Sequence, residues 1–118
     1  MKFKKSPPEL IELFMSLAPL DTRVEPRTMF SYPCYFINGN LFAGLFEDSM
    51  TLRLPEADRE VFLKLKGAAR FEPMGRVMRE YVLVPQTMLK KKSELQKWLE
   101  RALDYAASLP KKTKRKKS

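Results

Sequence analysis

The chain of 118 residues has no histidine, one cysteine, one tryptophan and four glycines. Without histidine there is no Ser-His-Asp or Cys-His pair to activate a nucleophile. Imidazole acid–base work and every His-containing zinc site go with it. A lone cysteine, Cys34, cannot form an internal disulfide. So few glycines leave no Gly-rich phosphate loop. No apolar run approaches the roughly 18 residues of a membrane span. The start, MKFKKSPPEL, turns polar at once and lacks the apolar core of a signal peptide. These absences lead to the expectation of a cytoplasmic, reducing setting with no membrane contact, no metal, no cofactor and no small-molecule substrate.

What is present is length for one domain and an uneven charge. The formal net charge is +9. Lys2, Lys4 and Lys5 at one end, with Lys111, Lys112, Lys114, Arg115, Lys116 and Lys117 at the other, carry the whole excess. Between Ser6 and Pro110 acids and bases balance. A pI near 9.8 therefore describes the termini, not a basic folded face. The last eight residues, KKTKRKKS, hold no apolar side chain and are expected to be disordered.

Between the termini the pattern alternates between helix and strand. Ser6-Pro7-Pro8-Glu9 reads as a capped helix start, followed by Leu10, Leu13, Phe14 and Leu17 at helical spacing. Asp21 to Arg27 is polar and turn-rich, and Pro26 discourages a central strand. The next stretch, MFSYPCYFINGNLFAG, contains Asn38-Gly39, the pair that a two-residue type I′ hairpin turn demands. With those two at the tip, Phe36 faces Leu41, Tyr35 faces Phe42 and Cys34 faces Ala43. Met50 to Leu54 alternates as a half-buried strand. Pro55 opens a second helix with Val61, Phe62 and Leu65 as its stripe, closed near Gly67. Ala69 to Glu72 and Val77 to Val84 read as strands on either side of a turn. Ser93-Glu94-Leu95-Gln96 reads as a second capping box, leading into Leu95, Trp98, Leu99, Ala102, Leu103 and Ala106 on one face. The expected order is α-βββ-α-ββ-α. That is an α+β, two-layer domain with an antiparallel sheet over residues 6–109, a basic arm at 1–5 and a basic tail at 110–118.

Four features invite a functional reading. Cys34 sits among aromatics without a charged neighbour, so a small hydrophobe in the core or an interface precedes a nucleophile or redox thiol. Tyr35, Phe42 and Phe46 belong to a hairpin apolar on both faces. Helices cover only one face of a two-layer sheet, so these aromatics are the candidate interface for a protein partner or a second copy. A base-stacking platform is the third alternative, after plain core. Arg70, Arg76 and Arg79 surround Gly75 and could hold an anion, with Glu72 and Glu80 near enough in sequence to neutralise them. Lys90-Lys91-Lys92 reads as a solvated loop. The tail cations, Lys111, Lys112, Lys114, Arg115, Lys116 and Lys117, are the candidate phosphate contacts to nucleic acid, against the alternative of a solubilising tail.

The order of these segments is similar to a known family. Arg27-Thr28-Met29-Phe30 leading into the Asn38-Gly39 hairpin, Leu41-Phe42-Ala43, and Met50-Thr51-Leu52-Arg53-Leu54 resemble successive motifs of the N-terminal domain of the TfoX/Sxy competence regulators. So do Glu80-Tyr81 through Pro85, Glu94-Leu95, and Trp98 through Leu103. The resemblance covers roughly residues 6–109. It implies a secretion-chaperone-like sheet flanked by helices and a bacterial, regulatory, non-enzymatic role. It also implies a single-domain member, with the basic tail where the regulators carry a second, helical domain. The resulting expectation is an interaction or regulatory domain, DNA-associated through its tail. The alternatives are a protein-binding or homodimeric module without a nucleic-acid role and, last, an enzyme using Cys34.

Overall fold

The computed structural model describes residues 5–29, 31–75 and 78–110. In chain order the elements are α1 (Pro8–Ser16), β1 (Val24–Met29), β2 (Tyr32–Ile37), β3 (Asn40–Phe46), β4 (Ser49–Arg53), α2 (Glu56–Leu63), β5 (Ala69–Arg70), β6 (Tyr81–Leu83) and α3 (Lys92–Ser108). Short 3-10 turns at Pro73–Gly75 and Gln86–Lys90 precede β6 and α3 respectively. The strands form one antiparallel sheet in the order β1-β2-β3-β4-β6-β5. This is the expected α+β arrangement with one strand added at the front.

The added strand is β1, which covers the segment read as turn. Its residues are nearly all exposed, so it carries no alternation for a reader of the sequence to find. Pro26 is tolerated because β1 pairs only with β2 and lies at the sheet edge.

Asn38 and Gly39 take the positive φ values of 53° and 79° that the type I′ tip requires. Phe36 pairs with Leu41 as expected, but the register then shifts. Tyr35 faces Ala43, not Phe42, and Cys34 faces Gly44, not Ala43. Phe42 is the extra residue of a β-bulge, which lets Phe42 and Ala43 both be buried. A wholly apolar strand gives no phase signal, so the sequence could not locate this slip.

The helices cover one face of the sheet. Phe14 of α1 stacks on Tyr35 at 4.4 Å, and Tyr35 on Phe42 at 6.1 Å. The Tyr35 hydroxyl donates to the Phe14 carbonyl at 2.7 Å. Phe62 of α2 meets Trp98 of α3 edge-on at 4.9 Å. All six predicted apolar positions of α3 are buried. Val61, by contrast, is exposed, so the α2 stripe is narrower than expected.

Neither predicted capping box forms. Pro7 and Lys91 occupy the cap positions without side-chain caps. Ser6 instead donates from Oγ to the Glu47 carbonyl at 2.6 Å, tying the start of the chain to the β3–β4 turn. Gly67 has φ +89° in the turn after α2, beyond the helix cap at Lys64. Of the long strand expected over Val77 to Val84, Val77 lies outside the described residues and the strand found is Tyr81–Leu83, where Tyr81 N–H closes a turn on the Met78 carbonyl at 2.9 Å. Among the described residues no helix is long and apolar enough to cross a membrane.

Candidate binding surface

The strand pairing divides the sheet residues into two sets. Tyr35, Ile37, Ala43, Leu45, Met50, Leu52 and Val82 share the helix-covered face. Cys34, Gly44, Thr51 and Leu83 share the other, with Phe36, Leu41, Arg53 and Tyr81 alongside. Among the described residues no α-helix packs there. Phe71, Pro73 and Met78, between β5 and β6, lie partly over it, held by Phe71 N–H on the Tyr81 carbonyl at 3.3 Å and Met78 N–H on the Phe71 carbonyl at 2.8 Å. Phe71 then meets Phe46 edge-on at 5.3 Å, and Phe46 lies 5.6 Å from Tyr32.

This partial roof leaves a recess of about 270 Å³. Met29, Cys34, Phe46, Phe71, Met78 and Tyr81 are among its walls. The lining is almost wholly apolar. Thr51 Oγ1, its hydroxyl, donates to the Gly44 carbonyl at 3.2 Å and is thereby satisfied. The Tyr81 hydroxyl reaches the Leu41 carbonyl at 3.3 Å. Met29, at the rim, is 39% exposed.

Of the three predicted interface aromatics, only Phe46 lines this surface. Tyr35 and Phe42 are 1% and 0% exposed. They pack in the core, where Tyr35 joins α1 to the sheet. The bulge is the cause, since it turns Phe42 toward the helices. Met29, Phe71, Met78 and Tyr81 were not picked out by sequence reasoning. The one available signal was strand parity, which places Tyr81 opposite Arg53 on the uncovered face. Nothing local marked the Phe71–Met78 loop as a roof.

Cys34 is 4% exposed, and its thiol donates weakly to the Arg27 carbonyl at 3.5 Å. Burial pushes the thiol pKa up, and the nearby Arg27 charge offsets this only in part. The protonated thiol is a poor nucleophile. Arg27 itself lies over the Phe36 ring at 4.7 Å and pairs with Glu25 at 2.9 Å, covering one end of the uncovered face.

At the end of the sheet a polar network joins strand to helix. Glu80 accepts from Arg53 Nε and from the Tyr105 hydroxyl of α3, both at 2.8 Å. Burial alone would raise the Glu80 pKa, but these hydrogen bonds outweigh it and hold the carboxyl below its ordinary value. Burial and the bond to Glu80 raise the Tyr105 pKa. Glu80, one of the two predicted neutralisers of the arginine set, is therefore committed elsewhere. Arg70 and Arg79 line a second depression with Arg59 of α2, while Arg76 lies outside the described residues. The carboxylates of the β3–β4 turn and of α2 assemble no group of three or more His, Cys, Asp or Glu able to hold a metal ion among the described residues. The six tail cations lie outside the described residues. The last described residue, Pro110, accepts through its carbonyl from Asn40 Nδ2 at 3.1 Å.

The chain matches the TfoX N-terminal domain over residues 15–106, from the last two residues of α1 through nearly all of α3. It belongs to the TfoX N-terminal domain family. No curated protein and no solved structure matches it. The match spans every strand, the bulged hairpin and the Phe71–Met78 roof of this TfoX N-terminal domain. The basic tail lies outside it.

Proposed function

We propose that this protein is a non-enzymatic interaction domain with a regulatory role, in the competence setting that its TfoX resemblance implies. The apolar recess on the uncovered sheet face carries this reading. Its walls come from β1, β2, β3, β4 and β6 and from Phe71, Pro73 and Met78, and it opens to solvent. A half-open apolar recess gains from burying a bulky apolar side chain, at roughly 25 cal/mol per Å² covered. The occupant we assign is such a side chain from another protein. A second copy of this chain is disfavoured because the adjoining edge, β1, is guarded against strand pairing by Glu25, Pro26 and Arg27. The buried, protonated Cys34 supports binding over nucleophilic chemistry.

A photo-crosslinker at Met29 in the source cell, with Met15 on α1 as the control position, tests this. The expected product is an adduct at Met29 whose attachment point on another protein is an apolar segment. No adduct above the Met15 control, or an adduct only with a second copy, would sink the reading.

The distribution of charge favours a second, independent element: phosphate contact by the tail. Six contacts predict a log K against log salt slope near −5, at about 0.9 per contact. Such binding carries no sequence preference. A homodimeric or purely protein-binding module would show no such slope.

A further inference from the structure

We propose that the depression lined by Arg59, Arg70 and Arg79 binds the phosphate group of a small phosphomonoester. It measures about 180 Å³ and lies at the β5–β6 edge of the sheet, sharing Tyr81 as a wall with the apolar recess. Glu56, Arg59, Glu60 and Leu63 of α2 form one wall. They stand three and four residues apart and so share one helix face. Arg70 of β5 and Arg79, just before β6, supply two more guanidinium groups, and Tyr81 and Val82 complete the lining.

Three arginines from consecutive elements thus line one depression. Among the described residues none of the three is in an ion pair; the pairs present are Arg23–Asp21, Arg27–Glu25, Arg53–Glu80 and Arg101–Asp58. Arg59 is oriented by a hydrogen bond from one NH group to the Leu54 carbonyl at 3.1 Å. Glu80 follows Arg79 directly, yet both its oxygens are taken by Arg53 and Tyr105. Glu80 still feels the Arg59 charge, and the carboxylates in the lining itself are Glu56 and Glu60, so three guanidinium-bearing residues face two carboxylates there.

Guanidinium forks match phosphate oxygens in planar pairs. A phosphate group offers three terminal oxygens to donors arriving from different sides, whereas a carboxylate offers two. Glu56 and Glu60 narrow the ligand further. Their charges on one wall leave the lining only weakly positive and disfavour a polyanion such as a nucleic-acid backbone.

The test is titration of the full-length chain with inorganic phosphate, followed by residue-assigned NMR that includes the arginine Nε–H signals. Saturable shifts are expected at Arg59, Arg70 and Arg79. The exposed double substitution Arg70→Ala/Arg79→Ala should weaken binding at least about tenfold, as expected for lost charged hydrogen bonds. Glu60→Gln should tighten it. Shifts confined to the lysines of the tail, or unchanged affinity in the double variant, would overturn the proposal. So would displacement of phosphate from these arginines by a short duplex DNA, which would make the depression part of a backbone-binding surface.

Discussion

Ser31, in the turn between β1 and β2, has φ 74°, a left-handed conformation that costs a non-glycine residue roughly 1–2 kcal/mol. Ser31→Gly should therefore stabilise the fold by about 0.5–1 kcal/mol, after the added flexibility of the unfolded chain is subtracted. Equilibrium urea unfolding reads this directly. Gly44 poses the opposite problem. A Cβ there would stand 3.2 Å from the Cys34 Cβ across the strand pair. Gly44→Ala should cost about 1–3 kcal/mol from crowding. Cys34→Ala should give no relief, because the offending Cβ remains. Cys34→Gly in the Gly44→Ala background should restore part of the loss, and a double-mutant cycle would show that coupling. The thiol itself should label with a neutral alkylating agent far more slowly than a free cysteine at pH 7.5, and as fast once the chain is unfolded. Fast labelling of the folded chain would reopen nucleophilic chemistry.

The elements differ in how much of their structure the sequence disclosed. The buried face of α3 was legible to the residue, because a long helix repeats its apolar signal over several turns. The tip of the β2–β3 hairpin was legible because positive φ selects Asn and Gly. Two residues below the tip, legibility ended: Phe42 and Ala43 are both apolar, and only packing against Tyr35 and Phe14 decides which one is extra. The caps failed for a related reason. Ser6 had a tertiary acceptor, the Glu47 carbonyl, that no local pattern reveals. The recess was illegible for the most part, since its roof comes from a loop whose role depends on where β6 pairs. The junction of β6 with α3 carries a pH prediction. Glu80 has its pKa lowered from 4.5 on folding, so its contribution is complete above that value. It is lost as pH falls through the lower folded-state value. Unfolding measured from pH 7 to pH 3 should show this acid loss, and Glu80→Gln should flatten it while lowering stability at pH 7. A parallel pH profile for the two chains would remove the network from the account.

For the molecule as a whole, the packed body and the excess charge are separate along the chain. The packed body between Ser6 and Pro110 is formally neutral, and the excess of +9 lies at the ends. Deleting residues 111–118 should leave the melting temperature nearly unchanged while abolishing any salt-dependent binding to duplex DNA. Binding that survives the deletion with the same slope would move the phosphate contacts into the folded body. The bond from Asn40 to the Pro110 carbonyl adds a geometric rule. It fixes the origin of the last eight residues beside the Asn38-Gly39 tip, and a chain covers at most about 3.6 Å per residue. The terminal cations therefore operate on a leash of roughly 29 Å with one known anchorage, and any phosphate they capture is held within that radius of the hairpin end.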